Sequence, residues 1–278
     1  KKYGSQKSVA DLNIHVQKGR IYGLLGRNGA GKTTTMKMLL GLTKPTSGEV
    51  KIWGKSLQGN EKKLLPRIGS LIESPGFYPN LTATENLRVF ATLRGVPNNH
   101  AIQDALDLVG LPYKDKKLFS QYSLGMKQRL AIALAVMHDP ELLILDEATS
   151  GLDPIMRDEM LDVFLEFVQE ENHSILLSSH ITSDLEKVAD YITFIHNGKL
   201  IMTVSKNDLV YNYAVMRCKE SQFLTLDPKD ILAYRKRDFQ IDVLVSNGKE
   251  AQKKYKGVVV DHVSVDEIML LLVKGERV

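Results

Sequence analysis

One segment of the chain, residues 26–33, has residue types and a spacing suited to binding phosphate. It reads Gly-Arg-Asn-Gly-Ala-Gly-Lys-Thr and has the form G-x-x-x-x-G-K-[ST]. Glycines at these positions let consecutive backbone N–H groups turn toward phosphate oxygens without interference from side chains. Lys32 is then expected to reach the β- and γ-phosphates of a nucleotide, and the Thr33 hydroxyl to bind Mg²⁺. The alternative is an ordinary glycine-rich turn that opens a helix.

The flanks of this segment favour the phosphate-binding interpretation. An apolar, strand-like run at 21–25 precedes it, and a helix-like run at 34–40 follows it. The N-terminus of that helix would add a dipole that favours an anion. We therefore predict that the loop and the first helical residues bind the nucleotide, through Gly26, Arg27, Asn28, Gly29, Ala30, Gly31, Lys32, Thr33 and Thr34.

A pair of carboxylates follows an aliphatic run later in the chain. The run 142–145 predicts a buried parallel strand, and parallel sheets place ligands at the carboxyl ends of their strands. Asp146 would hold Mg²⁺, directly or through water. Glu147 could act as the general base that polarises a water beside the γ-phosphate. Alone, the pair could equally be a polar strand end that faces solvent, but the upstream loop favours catalysis.

Two further segments carry polar groups at the ends of predicted elements. Ser123, followed by Leu-Gly-Met-Lys-Gln-Arg, opens a predicted helix, where a serine can contact phosphate or serve as an ordinary N-cap. His180 ends the predicted strand at 174–178, where a lone histidine would usually make a structural hydrogen bond. The other six histidines have no such context, and we expect them on the surface.

In this order along the chain, the motifs resemble those of the ATP-binding-cassette (ABC) ATPases, over about residues 1–205. Ser123 and Gly125 match the serine and the second glycine of the signature stretch of that family. Leu124 stands in place of its usual first glycine, and Met126 in place of its usual glutamine.

The resemblance implies roles for three more residues. The segment 150–154, with Asp153, would be the loop that shapes the contact between two nucleotide-binding domains. His180 would contact the γ-phosphate and orient the attacking water. Tyr3 would stack on adenine, a contact that any base could make equally well.

The resemblance also implies partners and a cofactor. Two ATP molecules with Mg²⁺ would be sandwiched in a head-to-tail dimer, each between the phosphate loop of one subunit and Ser123 of the other. Hydrolysis would release the two subunits and move partner proteins by rigid-body rotation. The sequence does not decide between a homodimer and a heterodimer, and it does not identify the cargo.

A narrower resemblance rests on Glu73, which stands where the family usually has a glutamine that reaches Mg²⁺. Together with the run Phe-Tyr-Pro-Asn-Leu at 77–81 and the signature stretch, it is similar to the ATPase subunits of bacitracin-resistance and lantibiotic-immunity exporters. Such subunits work with separate membrane permeases on the inner face of the cell membrane. Glu73 keeps an oxygen for Mg²⁺ but loses the amide donors. We hypothesise that it alters coupling to the permease more than chemistry; the alternative is neutral drift within a general drug exporter.

The elements that must position these residues alternate between strands and helices. This order predicts an α/β fold with a mainly parallel sheet. The resemblance specifies a P-loop NTPase domain at 1–204, with an antiparallel β subdomain and a helical subdomain at about 76–138. The predicted elements are strands at 9–16 (ending at Lys18-Gly19), 49–54 and 174–178, helices between Thr82 and Met137 separated at Pro97-Asn98-Asn99, a helix from Ile155 to Glu170, and a hairpin of Tyr191–His196 with Lys199–Val204 around Asn197-Gly198.

Past Ser205 the pattern changes to short strands around a basic helical stretch at 249–256. A capping box, Ser-Val-Asp-Glu at 264–267, then opens an apolar helix. We therefore predict a small α+β appendage at 205–278. It keeps open the alternative of an importer ATPase with a regulatory C-terminal domain, although the basic stretch is most simply a solvated helix face.

Composition sets limits on these alternatives. The chain has 278 residues with 43% hydrophobic and 25% charged residues, as expected of a soluble globular protein. No apolar run approaches the ~18 residues of a membrane span, and the first residues do not form a signal peptide. The lone Cys218 suits a reducing cytoplasm and predicts a packing role. The net charge of +4, one cassette and no basic block argue against a partner of nucleic acid or ribosomes.

Overall fold

The computed structural model describes residues 1–96, 99–169 and 172–277. The strands are β1 Lys2–Tyr3, β2 Gln6–Lys7, β3 Ile21–Leu25, β4 Lys51–Ile52, β5 Lys55–Ser56, β6 Ile68–Leu71, β7 Leu142–Asp146, β8 Ser174–Ser179, β9 Tyr191–His196, β10 Lys199–Ser205, β11 Ala214–Cys218, β12 Ala233–Lys236, β13 Ile241–Val245 and β14 Val259–His262. The helices are α1 Lys32–Leu39, α2 Glu61–Leu64, α3 Ala83–Arg94, α4 Asn99–Leu108, α5 Leu124–Val136, α6 Pro154–Phe167, α7 Thr182–Val188, α8 Lys206–Tyr211, α9 Glu220–Phe223, α10 Gly248–Lys254 and α11 Val265–Lys274.

A six-stranded sheet in the order β10-β9-β3-β8-β7-β6 forms the centre of the molecule. All neighbours are parallel except β10, which pairs antiparallel with β9. The carboxyl ends of β3, β7 and β8 therefore meet at one edge, which carries the phosphate loop, Asp146 and His180. The predicted α/β fold with a mainly parallel sheet is confirmed.

Both faces of this sheet are buried because successive side chains point to opposite sides. Along β7, Leu143 and Leu145 join the large core beneath α5 and α6, whereas Ile144 joins a second core with Met36 of α1. Along β8, Ile175 and Leu177 alternate with Leu176 in the same way. Continuous aliphatic runs in the sequence thus reflect strands that are covered by helices on both faces.

The predicted helical segment contains α3, α4 and α5, which pack on one another through Leu87, Leu106 and Leu130, each fully buried. Helix α3 begins at a capping box between Thr82 and Glu85, which satisfies two backbone N–H groups. It ends at Arg94 with Gly95 in the left-handed conformation. The predicted break at Pro97 and Asn98 lies outside the described residues.

The strand predicted from the alternation of Val9, Leu12, Ile14 and Val16 is wrong. This segment forms no strand, although its apolar side chains are turned inward in alternation. Asp11 has a φ of 52°, which interrupts an extended backbone. Within residues 1–205, the antiparallel pairings among the described residues are the two-stranded pairs β1-β2 and β4-β5 and the pairing of the edge strand β10 with β9.

Downstream predictions agree with the structure at most element ends. The helix predicted over 155–170 is α6, which ends at Phe167, and the predicted end at Glu170 lies outside the described residues. The hairpin around Asn197-Gly198 is β9-β10, with Asn197 at φ 48° and Gly198 at φ 74°. Within the described residues, no helix is long and apolar enough to cross a membrane.

The expectation that the other six histidines lie on the surface is wrong for His138 and His173, and His196 is also only partly exposed. His138 is partly buried between Arg94 and the Ile68 carbonyl. The side chain of His173 is 12% exposed and stacks on Phe167 at a ring distance of 4.3 Å. Neighbouring helices and strands from distant parts of the chain cover both rings, which no local pattern reveals.

The C-terminal part contains a four-stranded antiparallel sheet in the order β12-β13-β11-β14. One face, with Met216, the buried Cys218 and Val243, packs with α10. The other face packs on α11 and joins the large core of the central sheet. The capping box at 264–267 begins α11 as predicted. The division at 204/205 stays a prediction.

Candidate active site

The phosphate loop, residues 26–33, joins the end of β3 to the start of α1, and its shape depends on glycine. Gly29 and Gly31 have φ values of 80° and 108°, where side chains are strained. A Cβ on Gly31 would come within 2.7 Å of the Ser8 carbonyl oxygen, and one on Gly26 within 2.5 Å of the Ile195 carbonyl oxygen. The backbone is therefore held close to its neighbours in a form that leaves its N–H groups free of side chains.

Two other segments brace this loop. The Gly198 N–H donates to the Ala30 carbonyl at 2.8 Å, and the Ala10 N–H donates to the Gly198 carbonyl at 2.7 Å. The β9-β10 turn therefore lies between the phosphate loop and the N-terminal segment. The Ala10 N–H is thereby paired with the turn, and Asp11, at a φ of 52°, follows it, so the backbone does not continue as a strand here.

The N-terminus of α1 lacks the side-chain cap that α3, α5 and α6 have. The side chains of Thr82, Ser123 and Asp153 accept N–H groups at the starts of α3, α5 and α6. Gly31 stands at that position in α1, and no side chain that the structure describes accepts a hydrogen bond there. Uncapped N–H groups and the helix dipole fit an anionic group, as expected for the phosphates of a nucleotide.

Lys32 is 5% exposed, which is unusual for a lysine and requires compensating partners. Its Nζ donates to the Gly26 carbonyl at 2.6 Å and lies 2.9 Å from Glu147 Oε1. That oxygen accepts no hydrogen bond from any described residue, so the ion pair is close but poorly aligned. An anion of better geometry could therefore displace Glu147 from Lys32.

Asp146 lies at the end of β7, where its two oxygens have different partners. Thr33 Oγ1 donates to Asp146 Oδ2 at 2.5 Å, and Ser178 Oγ donates to Asp146 Oδ1. The hydroxyl and the carboxylate expected to bind Mg²⁺ thus meet at one point. Mg²⁺ prefers oxygen ligands and often binds one or two carboxylates together with substrate phosphates, so this pair fits the ion.

Glu147 is held by the end of β8. Its backbone has a φ of 52°, and its N–H donates to the Ser178 carbonyl and hydroxyl, both at 3.1 Å. His180 Nδ1 lies 2.5 Å from Glu147 Oε2. The side chain of His180 is 39% exposed and that of Glu147 is 24% exposed. A carboxylate that contacts both a lysine and a histidine is placed to accept a proton from water.

Lys32, Thr33 and Glu147 line an open cleft of about 670 Å³, which is also lined by residues that the sequence motifs did not indicate. Its walls are Lys7, Ser8, Asn28, Gly29, Gly31, Lys32, Thr33, Thr34, Glu147 and Asn197. Arg27 instead lines a neighbouring cleft with His180 and Met269. Tyr3 lines neither cleft; its ring is 49% exposed and faces Lys1. Its role in stacking on adenine stays a prediction.

Glu73 follows β6 and lies on the surface, with 76% of its side chain exposed. Lys37 Nζ of α1 donates to Glu73 Oε1 at 2.7 Å. This bond holds the pKa of the Glu73 carboxyl below its ordinary value and raises the pKa of Lys37. The described residues therefore show Glu73 bound to a lysine, and its role as a Mg²⁺ ligand stays a prediction.

Ser123, Gly125 and Asp153 line neither cleft. A Cβ on Gly125 would come within 2.6 Å of Met156 Cε, and one on Gly151 within 3.4 Å of Leu124. The start of α5 and the loop before α6 thus form one continuous surface. Their contribution to a nucleotide site on a second subunit stays a prediction.

Sequence reasoning missed the residues that connect these parts. Gln128 Nε2 donates to the Ala148 carbonyl at 2.6 Å and joins the signature helix to the segment after Glu147. Thr149 Oγ1 donates at 2.6 Å to Asp184, whose carboxyl is buried; burial raises its pKa above the ordinary value. The contacts of these residues join distant parts of the chain, so no local sequence pattern predicts them. For Ser178, the sequence offered only its position shortly before His180.

Comparison with known proteins gives consistent matches. The sequence profile described as ABC transporter matches residues 9–150. The chain is 56% identical over 201 residues to the bacitracin transport ATP-binding protein BcrA of Bacillus licheniformis, covering 72% of this chain and 66% of BcrA. The aligned part therefore spans about two thirds of that relative.

Two other matches are a lantibiotic transport protein and a protein of known structure. The chain is 44% identical over 202 residues to the lantibiotic transport ATP-binding protein SrtF of Streptococcus pyogenes, covering 73% of this chain and 86% of SrtF. A solved structure of an ATP-binding subunit of an ABC transporter is 30% identical, with a TM-score of 0.65 over 74% of this chain and 87% of that one.

Proposed function

The chain belongs to the ABC transporter family, and on that premise we propose that it is the ATP-hydrolysing subunit of an exporter for antimicrobial peptides of the bacitracin or lantibiotic type. The observation that carries the proposal is the meeting of Lys32, Glu147 and His180 beside the phosphate loop. The similarity to bacitracin and lantibiotic transport ATP-binding proteins supports the class of cargo.

In the proposed reaction, the phosphate groups of ATP replace Glu147 as the anionic partner of Lys32. The backbone N–H groups of the loop and the uncapped start of α1 bind the same phosphates. Glu147, once separated from Lys32, accepts a proton from the attacking water, and His180 orients that water and the carboxylate. The products are ADP and inorganic phosphate.

Thr33 and Asp146 would hold Mg²⁺ beside the phosphates, and the ion would neutralise charge on the β- and γ-oxygens. Ser178 keeps Asp146 oriented, because its hydroxyl donates to the oxygen that Thr33 does not bind. The residues of this chain thus present one oriented carboxylate and one hydroxyl to the ion.

Ser123 and Asp153 are exposed and line neither cleft, which supports a site completed by a second subunit in a head-to-tail dimer. The proposed partners are that second nucleotide-binding subunit and membrane permease subunits, which would hold the protein at the cytoplasmic face of the membrane. Closure of the dimer on ATP would move the permease subunits.

Reconstitution with membrane subunits tests the proposal. We expect ATPase activity that requires Mg²⁺ and rises when bacitracin or a lantibiotic is added to the complex in lipid vesicles. The same complex with Glu147→Gln is expected to bind ATP and show no stimulated turnover. Stimulation only by unrelated drugs would instead indicate a general drug exporter, and stimulation only by a substrate-loaded binding protein would indicate an importer.

A further inference from the structure

Helix α11 lies between the C-terminal sheet and α7, the helix that follows His180. It buries Val265, Ile268 and Leu271, which are 4%, 0% and 3% exposed, in the large core. Its neighbours are β12 and β13 on the C-terminal side and α7 on the side of the central sheet. Helix α11 therefore packs both against the C-terminal sheet and against α7, within one continuous core.

A directed hydrogen bond fixes the contact between α11 and α7. The Val265 N–H, at the first position of α11, donates to Glu186 Oε1 of α7 at 2.9 Å. A carboxylate at a helix N-terminus also interacts favourably with the helix dipole. The capping box pairs the N–H groups of Ser264 and Glu267 with each other's side chains. It leaves the Val265 N–H without a partner, and Glu186 accepts that hydrogen bond.

Helix α11 is in turn tied to its own sheet by charge. Arg217 of β11 lies 3.4 Å from Glu267 of α11, 2.7 Å from Asp261 of β14 and 3.5 Å from Asp242 of β13. The Arg217 side chain is 32% exposed; of its partners only Asp242 is buried, at 3%, so the pairs with Asp261 and Glu267 are partly screened by solvent. Movement of the sheet would therefore carry α11 with it.

Helix α7 in turn contacts two parts of the ATPase machinery. It begins at Thr182, two residues after His180, which lies 2.5 Å from Glu147. Asp184, in its first turn, accepts the hydrogen bond from Thr149 in the loop that follows Glu147. Met269 of α11 and His180 both line the neighbouring cleft of about 490 Å³. The position of α7 thus bears on both His180 and the loop after Glu147.

From these contacts we propose that Glu186 is a positioning residue for His180, and that the C-terminal domain, acting through α11, sets the turnover rate of the ATPase. This inference rests on the proposed function. The nucleotide-binding groups Lys32 and Thr33 lie on α1, which is not in the path from α11 to α7. Loosening the contact is therefore expected to slow hydrolysis while leaving ATP affinity unchanged.

The test compares Glu186→Ala with Glu186→Gln in the full chain. The alanine variant removes the acceptor of the Val265 N–H, whereas the glutamine variant keeps an acceptor oxygen. We expect kcat to fall about three- to tenfold in Glu186→Ala, the range that loss of one such hydrogen bond allows, with KM for ATP unchanged. Glu186→Gln is expected to restore most of kcat. The matched control is Glu166→Ala, on the exposed face of α6.

A second readout does not depend on turnover. The imidazole signals of His180, assigned with His180→Gln, report its contact with Glu147 in nuclear magnetic resonance spectra of the full chain. We expect Glu186→Ala to shift these signals and the control to leave them in place. Unchanged His180 signals in Glu186→Ala, or a fall in kcat matched by weaker ATP binding and a lower unfolding midpoint, would overturn the inference. A chain without any ATPase activity would refute the proposed function. The His180 signals would still show whether Glu186 positions His180.

Discussion

The ammonium of Lys32 lies 2.9 Å from the Glu147 carboxylate, so the two residues with the most direct proposed roles in hydrolysis are each other's partners. The lysine is 5% exposed, and burying its charge without an anion nearby would be costly. Its pairing with Glu147 stabilises the charged lysine in the phosphate loop. The same pairing engages the carboxylate that is the proposed general base. Binding of phosphate would therefore free Glu147 for catalysis.

This pairing predicts non-additive stability in a double-mutant cycle. Lys32→Met leaves the Glu147 carboxylate without its cation, and we expect a loss of about 1–2 kcal/mol, reduced from the fully buried case because Glu147 is 24% exposed. Adding Glu147→Gln removes the unpaired charge, so the double variant should recover part of that loss. Urea unfolding without nucleotide measures each corner of the cycle. Additive losses would show that the pair is not coupled.

Glu147→Gln should also separate ATP binding from hydrolysis. The amide keeps the size of the side chain but cannot accept a proton from water, so we expect turnover to fall at least about 100-fold. ATP binding should persist and become tighter, because in this variant Lys32 does not have to break an ion pair with a carboxylate before it binds phosphate. Equilibrium binding and ATP-dependent dimerisation by light scattering measure this. Glu166→Gln, on the exposed face of α6, is the control; unchanged hydrolysis in Glu147→Gln would show that another group is the base.

The parts of the site that sequence predicted are those whose geometry is local. The phosphate loop needs glycines at φ values of 80° and 108°, and a short motif records that requirement directly. Asp146 and His180 follow aliphatic runs, and strands that run parallel deliver their ends to one edge. Motif and strand order together were enough to bring these residues to one site.

The parts that sequence did not predict depend on contacts between distant segments. Val265 and Glu186 are separated by 79 positions, and no periodicity links them. The strands β11 and β12 were not among the predicted elements, and their pairing with β13 decides their conformation. The N-terminal segment was predicted as a strand because apolar residues alternate there, yet Asp11 at φ 52° interrupts the extended backbone and the Ala10 N–H donates to the Gly198 carbonyl in the β9-β10 turn.

His138 predicts a loss of stability in mild acid. Burial, with a contribution from Arg94, lowers the pKa of the His138 imidazole below its ordinary value. The neutral ring can donate from Nε2 to the Ile68 carbonyl while Nδ1 accepts from Arg94, and protonation would end the second bond. A lowered folded-state pKa means that its contribution is full above the unfolded value, about pH 6.5, and is lost as pH falls toward the folded value.

We therefore expect His138→Gln to flatten the decline in unfolding free energy between about pH 7 and pH 5, since one proton contributes at most about 1.4 kcal/mol per pH unit. Urea unfolding at several pH values measures the slope. His262→Gln, which alters an exposed ring on β14, should leave the slope as it is in the unaltered protein. Equal slopes in all three proteins would mean that another group causes the decline.

Glu73→Gln tests whether this residue serves coupling more than chemistry. Glu73 is 76% exposed and bound to Lys37, so its replacement should leave the contacts of Lys32, Asp146 and Glu147 in place. We expect ATPase activity of the isolated chain to stay within about twofold, because no proposed proton transfer uses Glu73. Peptide tolerance of cells that carry the whole transporter should fall.

The control for Glu73→Gln is Lys37→Met, which removes the same ion pair from the other side. If tolerance falls in Glu73→Gln alone, the carboxylate itself contacts the membrane subunit or the ion. If it falls in both variants, the ion pair between the end of β6 and α1 is what transmits the motion. Equal losses of ATPase activity and tolerance in Glu73→Gln would contradict the coupling hypothesis, because the residue would then act on hydrolysis itself.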